Sequence, residues 1–264
     1  MKRILLTNDD GIESKGLRAL EEAVKCLGKV YVVAPKGQQS SASRSLTKRK
    51  FLEIEKLDSS DSIERYSIDG TPATCVLIAI EKILKAKPDL VISGINVGEN
   101  IGRTAYTTSG TIGAALEAAM TFEVPSIAAS IFIPIEFHEN HDKYPVDFTV
   151  AKNYLKKISE YILRYPNNGL RKIDVLNINF PYSSRDKGFR ITVPTKNRFH
   201  YPRIIEENGK YKISHTVKIE RENENTDVKT VLDGKVSITP LSFIKHNRIS
   251  IEKIEKIFKF KVMI

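Results

Sequence analysis

The feature that most constrains the fold is an alternation of short apolar runs with amphipathic segments over the first two thirds of the chain. Three runs, ILLTN, VYVVAP and DLVISG, have contiguous apolar residues, which is typical of strands buried on both faces of a sheet. The segment 14–27 places Leu17, Leu20, Val24 and Leu27 on one helical face. Repeated strand–helix–strand units of this kind predict an α/β fold with a mostly parallel sheet and helices on both faces.

Further elements extend this pattern. Thr71-Pro72 places a proline in the first turn of a predicted helix. Residues 109–122 predict a helix rich in Gly and Ala, which packs closely against a neighbour, and residues 147–164 predict another. The remaining predicted strands are a polar pair, FLEIEKL and ERYSI, and two buried runs, SIAASIFI and VLNINF.

The pattern changes from about residue 186. We interpret GFRITV, YKISHTVKI, VKTVL and KVSIT as strands of β-hairpins, joined by polar turns such as Glu207-Asn208-Gly209 and Asp233-Gly234. The tail from Ser250 has isoleucines at helical spacing and predicts a short helix. We therefore divide the chain into a core, residues 1–185, and a C-terminal hairpin extension, residues 186–264.

The composition excludes several classes of protein. No apolar run approaches the roughly 20 residues that span a membrane. The N-terminal apolar run is followed immediately by two carboxylates, so it predicts a strand and not a signal peptide. Cys26 and Cys75 lack metal-site spacing and predict buried thiols, which fits a reducing cytoplasm. We expect a cytoplasmic protein with no membrane partner.

Two adjacent carboxylates follow the first strand, in the run Asn8-Asp9-Asp10-Gly11. In an open parallel sheet, ligands bind beyond the carboxyl ends of the strands. Bare carboxylates would repel a phosphate, whereas a cation held between them would attract one, and Gly11 permits the turn that brings both side chains together. An Asp at such a turn can also simply cap the next helix. The pair at this topological point favours a metal site.

Two further loops supply neutral oxygen atoms at the same edge of the sheet. The second strand is followed by a serine-rich run, 36–43, and the third by a run with two asparagines, 93–100. With Asp9 and Asp10, a serine hydroxyl and an asparagine carbonyl form an all-oxygen set, which suits a hard ion such as Mg²⁺ or Mn²⁺. A serine-rich loop alone does not predict a metal site, so the prediction depends on the loops after three strands lying close together.

A fourth run, 107–115, opens a predicted helix with hydroxyls and small residues. Free backbone N–H groups and the helix dipole at such a start favour an anion. The alternative is an ordinary Ser/Thr cap on a tightly packed helix. Beside a metal site, we interpret Ser109, Gly110 and Thr111, together with Asn8, as residues that bind a phosphate group.

At these places the sequence resembles the SurE family, the survival-protein nucleotidases. Matches are dense from residue 3 to about residue 130 and sparse afterwards. The matching runs are ILLTNDDGIESKGL, VYVVAPKGQQSSASRSLT, IDGTPATCV, DLVISGINVGEN, SGTIGAALEA, VPSIAAS, VLNINFP and TDVKTVLDGKVSITPL.

The resemblance implies a Rossmann-like core with C-terminal hairpins, in homodimers or homotetramers that exchange C-terminal elements. It implies hydrolysis of nucleoside 5′- and 3′-monophosphates with one divalent metal ion. The family's metal ligands fall on Asp9, Asp10, Ser40 and Asn96. Some members also cleave terminal phosphate from short polyphosphate, so the resemblance extends to that activity.

Three departures from the family bear on substrate preference and rate, not on the metal site. Many members carry an acidic residue and an aromatic or His before the SGT motif, where this chain has the stretch 103–108. Val193 replaces a basic residue, and Ser242 replaces a His that often follows the SITPL-like strand.

For the reaction, we expect a water molecule to attack the phosphorus in line while the nucleoside oxygen leaves. Asp9 and Asp10 are the predicted catalytic residues, with Asp9 orienting the water. An aspartyl-phosphate route is disfavoured, because enzymes that use it have two aspartates separated by one residue.

Two other classes of function remain open from the sequence. The net charge of +10 suggests nucleic-acid binding, with a steep loss of affinity in salt, although no helix-turn-helix, RNA-stacking or zinc motif supports it and we expect no specific nucleic-acid partner. A nucleotide-sensing protein without turnover is the other alternative. His138 and His141 have metal-like spacing but lie in a polar run typical of a surface loop, and we identify no partners for the other histidines, His200, His215 and His246.

Overall fold

The computed structural model describes residues 1–134, 137, 145–166, 173–218 and 220–243. Its strands are β1 (Arg3–Thr7), β2 (Lys29–Pro35), β3 (Ile54–Lys56), β4 (Ile63–Ile68), β5 (Leu90–Val97), β6 (Ser126–Ile131), β7 (Val175–Phe180), β8 (Phe189–Ile191), β9 (His200–Glu207), β10 (Lys210–Val217) and β11 (Val236–Leu241). Nine of them form one sheet in the order β3-β4-β2-β1-β5-β6-β7-β11-β8, and β9 pairs with β10 in a separate antiparallel hairpin.

The six central strands of the sheet, from β4 to β7 in spatial order, run parallel to one another. This confirms the predicted mostly parallel sheet. The polar runs FLEIEKL and ERYSI were predicted as a strand pair, and β3 and β4 are indeed paired, in antiparallel orientation. On the other side, β11 runs antiparallel to β7 and β8 runs parallel to β11.

Helices connect the parallel strands and begin at polar caps. The hydroxyls of Ser14 and Thr71 accept backbone N–H groups at the starts of the first two helices, and Thr71 is followed by the predicted N-terminal proline. The described helices are α1 (Lys15–Val24), α2 (Pro72–Ile78), which continues as a π-helical segment (Ala79–Leu84), α3 (Gly102–Thr108), α4 (Gly110–Phe122), α5 (Thr149–Arg164) and α6 (Asp227–Leu232).

The helices bury both faces of the sheet. Successive residues of β1 point to opposite faces, so Leu6 packs with Leu20 of α1 and Leu155 of α5 in one apolar cluster, whereas Leu5 packs with Val76 of α2 and other residues in a second cluster. These side chains are fully buried. The two-sided core explains why the sequences of the central strands β1, β2 and β5 are mostly apolar.

The order of the strands reverses beside β1. The chain passes from β1 through α1 to β2 on one side, and β5 lies against β1 on the other side. A crevice opens at such a switch point beyond the carboxyl ends of the strands, where ligands bind in folds of this type. The loops after β1, β2 and β5 therefore meet at one place.

Three predictions for the C-terminal region are wrong. The run VKTVL forms α6 and not a strand, because Thr226 caps the helix and Val228 and Val231, three residues apart, both pack into a cluster with Ile101 and Phe199. The turn at 233–234 therefore joins a helix to β11 and closes no hairpin. The runs GFRITV and KVSIT form strands β8 and β11 as predicted, but these two run parallel within the large sheet and make no hairpin with each other. The hairpin that stands apart is β9–β10, and the division of the chain at residue 186 stays a prediction.

Some other expectations have different outcomes. Helix α3 was not predicted from the sequence. Both cysteines were expected to be buried; Cys75 is buried, but Cys26 is exposed. None of the described helices combines the length and apolar character needed to cross a membrane. The predicted helix from Ser250 and the residues His138, His141 and His246 lie outside the described residues.

Candidate active site

The loop after β1 is held together by Asn8, whose side chain is fully buried. Its amide nitrogen donates to the Gly11 carbonyl at 2.9 Å and to the Ser14 hydroxyl at 2.7 Å, and its oxygen accepts from the Gly11 N–H at 3.2 Å. Gly11 has a φ of +102° and packs against the backbone of Gly37, so a side chain there would be strained. These bonds fix the turn of the loop from which the side chains of Asp9 and Asp10 project.

Asp9 lies under the start of α4. Its Oδ1 accepts a hydrogen bond of 2.5 Å from the Thr111 hydroxyl, and only 7% of the residue is exposed. A Cβ on Gly110 would lie 2.8 Å from Asp9 Oδ2, so the absence of a side chain lets the helix approach. Burial and the neighbouring Asp10 raise the pKa of Asp9 to about 7, against the lowering effect of the Thr111 hydrogen bond.

Asp10 is tied to the end of β5, where its Oδ2 accepts from the backbone N–H of Val97 at 3.3 Å. It lines a cavity next to the one that Asp9 lines. The pairing of β5 with β6 carries one extra residue on β5 between Ser93 and Asn96. A bulge of this kind redirects the side chains at a strand end.

The serine-rich loop after β2 is fastened to both sides of the crevice. The Gln39 N–H donates to the Asp9 carbonyl at 2.7 Å, and Ser43 donates through its N–H to the Thr108 carbonyl at 3.1 Å. Gly113 of α4 lies so close that a Cβ would come within 2.1 Å of the Ser43 carbonyl oxygen. This close contact confirms the tight packing expected of the Gly- and Ala-rich helix.

The four predicted metal ligands come to the same region. Asp9, Ser40 and Asn96 line one cavity of about 290 Å³, and Asp10 is adjacent. The Asn96 amide nitrogen donates to the Gly98 carbonyl at 2.6 Å, which orients the side chain. Whether these four residues bind a metal stays a prediction.

The start of α4 contacts Asp9 and also lines the cavity. The Ser109 hydroxyl caps the helix by accepting the Ile112 N–H at 3.2 Å, and Ser109 also lines the cavity. Thr111, in contrast, is fully buried, and its hydroxyl donates a hydrogen bond to Asp9. Asn8 lies behind the loop with its amide engaged, so this geometry does not favour the predicted phosphate contact of Asn8, which stays a prediction.

Sequence reasoning assigned no role to several polar residues that line the cavity, among them Glu99, Asn100, His200 and His215. Asn100 links the loop after β5 to two strands, because its side chain donates to the Ser130 hydroxyl of β6 at 2.8 Å and its backbone carbonyl accepts from Asn177 and Asn179 of β7. The two histidines come from the β9–β10 hairpin. No local signal pointed to them, because the hairpin reaches the cavity only after folding.

The donor set fits a hard divalent ion. Among the described residues, no group of three or more His, Cys, Asp and Glu side chains could hold a metal. The site instead combines two carboxylates, which repel each other, with a neutral amide and a hydroxyl. Oxygen ligands of this kind are those of Mg²⁺ and Mn²⁺, and a cation there would offset both the burial and the repulsion from Asp10 that raise the pKa of Asp9.

Comparisons with known proteins agree on one family. A model of the family described as "Survival protein SurE" matches residues 4–201. The 5′-nucleotidase SurE of Methanosarcina barkeri is 40% identical over 267 residues, which covers 96% of this chain and 97% of that protein. The 5′-nucleotidase SurE of a Thermoanaerobacter species is 37% identical over 256 residues, with 94% and 96% covered.

A solved structure has the same fold. The crystal structure of the SurE protein from Aquifex aeolicus matches with a TM-score of 0.78 and 35% sequence identity. The match covers 97% of this chain and 99% of that one. The likeness therefore extends through the C-terminal region, where the matching runs in the sequence were sparse.

Proposed function

The chain belongs to the SurE family, and from this membership and its site we propose that it is a divalent-metal-dependent 5′-nucleotidase. It hydrolyses nucleoside monophosphates to a nucleoside and inorganic phosphate. The observation that carries the proposal is the convergence of Asp9, Asp10, Ser40 and Asn96 at the switch point of the sheet. The names of relatives with up to 40% identity support the same activity.

Asp9, Asp10, Ser40 and Asn96 would hold the metal. When bound, a divalent ion supplies positive charge that offsets the charge of the phosphoryl group and lowers the pKa of a water molecule. Asp9 would accept a hydrogen bond from the attacking water and so orient it toward the phosphorus. The Thr111 hydroxyl, at 2.5 Å, fixes the direction of the Asp9 carboxylate for this task.

The phosphate group lies against the start of α4 in this proposal. The partial positive charge of the helix N-terminus favours the charge that develops on the phosphoryl oxygens. Ser109 faces the cavity, and Gly110 gives the helix its close approach. Asn8 is a positioning residue for the acidic loop, since its amide bonds shape that loop.

A panel of nucleoside monophosphates tests the activity. Phosphate release should require Mg²⁺ or Mn²⁺ and should stop when a chelator is added. Asp9→Asn and Asp10→Asn should each lower release by about 10²-fold or more, because each removes a charged ligand. Full activity in either variant would remove that residue from the ligand set, and release that is indifferent to chelation would refute the metal dependence.

Finer expectations belong to the same proposal. We infer that the enzyme also accepts 3′-monophosphates and short polyphosphate, and that it works in the cytoplasm with one metal ion per site. We further infer a homodimer or homotetramer that exchanges C-terminal elements. The hairpin supports this, because Ile204, Tyr211 and Ile213 are 75%, 70% and 72% exposed on it. Light scattering after size-exclusion chromatography measures the assembly, and a monomer would contradict it.

A further inference from the structure

No residue has yet been assigned to protonate the nucleoside oxygen that leaves in the proposed reaction. When the bond between phosphorus and the nucleoside O5′ breaks, the leaving oxygen becomes an alkoxide, a strong base that needs a proton. A side chain that donates this proton in the transition state accelerates such steps by about 10²- to 10⁴-fold. The roles proposed above for Asp9, Asp10 and the start of α4 do not include donation of this proton.

A candidate pair of side chains, Glu99 and His200, lines the same cavity. His200, the first residue of β9, has its Nε2 3.6 Å from Glu99 Oε1, in the loop after β5. The Glu99 side chain is 1% exposed and that of His200 is 18% exposed. A carboxylate this deeply buried favours a positive charge beside it, and a protonated imidazole meets that requirement.

The hairpin directs its histidines toward the cavity. His200 lies opposite Val217 and His215 lies opposite Pro202 in the antiparallel register, so both histidines are on the same face of β9–β10. Both line the cavity that also holds Asp9. The titratable side chains around that cavity are Asp9, Glu99, His200 and His215.

We propose that His200 is the general acid of the reaction and that Glu99 is its positioning residue. This inference rests on the proposed function. The water oxygen forms the new bond to phosphorus as the bond from phosphorus to O5′ breaks. The imidazolium N–H proton of His200 passes to O5′, both protons of the water stay on the departing phosphate as H2PO4⁻, and this product gives one proton up to solvent. The neutral imidazole then takes up a proton from solvent.

A purely structural role for this pair makes a different prediction. If the contact between Glu99 and His200 only anchored the hairpin to the core, its loss would slow every substrate to the same degree. A general acid, by contrast, matters only for a leaving group that needs a proton. The two roles are therefore separated by changing the bridging atom of the substrate.

The test compares adenosine 5′-monophosphate with its analogue in which sulfur replaces the bridging 5′ oxygen. The two share the nucleoside and the phosphoryl group, but a thiolate leaves without a proton. His200→Asn should lower kcat for the oxygen ester about 100-fold or more and for the sulfur ester less than about threefold. Glu99→Gln should lower kcat for the oxygen ester by about tenfold, again with little effect on the sulfur ester.

The ratio of the two rates, measured in one preparation of a variant, does not depend on how much of that preparation is folded. His215→Asn removes an imidazole from the same cavity and the same hairpin face, and it should slow both esters equally. Equal loss on both esters in His200→Asn would overturn the proposal, as would a wild-type enzyme that cleaves the oxygen ester but not the sulfur ester. Failure of the wild-type protein to release phosphate from either ester would refute the proposed function instead.

Discussion

Replacing Thr111 with valine tests how the start of α4 controls the metal site. The Thr111 hydroxyl donates to Asp9 Oδ1 at 2.5 Å, and both residues are buried. Valine keeps the shape but removes the donor, so the carboxylate loses a hydrogen bond to a charged group, which contributes about 1.5–3 kcal/mol. Since 1.36 kcal/mol corresponds to one pKa unit, the pKa of Asp9 should rise by about one to two units above its value of about 7.

A proton then competes more strongly with the metal. At pH 7 the ionised fraction of Asp9, and with it the affinity for Mn²⁺, should fall about 5- to 50-fold. Titration calorimetry measures the affinity at pH 7 and at pH 9, where the difference should shrink because the carboxyl is ionised in a larger share of both proteins.

Thr107→Val is the matched control for this substitution. Its hydroxyl donates to the Thr104 carbonyl at 3.0 Å on the exposed side of α3, so its loss should change Mn²⁺ affinity by less than about twofold. Unchanged affinity in Thr111→Val at pH 7 would refute the reasoning. A loss of the same size at both pH values would show that the hydroxyl acts on geometry and not on protonation.

Other contacts give measurable outcomes as well. Gly110→Ala should lower phosphate release by about 10²-fold, because a Cβ 2.8 Å from the carboxylate displaces it, whereas Gly37→Ala, whose Cβ would meet nothing within 4 Å, should retain it. Without metal, thermal stability should rise as pH falls from 8 to 5 in the wild type but less so in Asp9→Asn, because folding raises the pKa of Asp9 to about 7. Tyr106→Phe should lower the free energy of unfolding in urea by about 1–3 kcal/mol, since it removes a hydrogen bond to the fully buried Asp227.

Local sequence patterns predicted the core elements because their signals are short in range. Contiguous apolar runs identified the central strands, and Thr71-Pro72 identified the start of a helix. The run VKTVL misled the same reasoning, because its β-branched residues favour a strand on propensity alone. The cap at Thr226 and the packing of Val228 and Val231 against Phe199 decide for a helix, and that packing is a tertiary contact.

The role of Asn8 shows the same limit within the site. Its position beside two carboxylates predicted a contact with substrate, and only the folded loop reveals that its amide bonds to Gly11 and Ser14. Thr111 likewise lies in a run typical of anion binding, yet its hydroxyl is committed to Asp9. In both cases the residue type was informative, while the partner depended on which chain segments the sheet brings together.

The sequence by itself determined that two carboxylates follow a buried strand, in a chain built of strand–helix–strand units. That was sufficient to predict the sheet and the edge at which the site lies, because the carboxyl ends of parallel strands share one edge. Only the tertiary structure decided that Glu99 and His200 meet over this edge. They belong to distant segments of the chain, and no periodicity or motif records a contact between the loop after β5 and a hairpin about 100 residues later in the sequence.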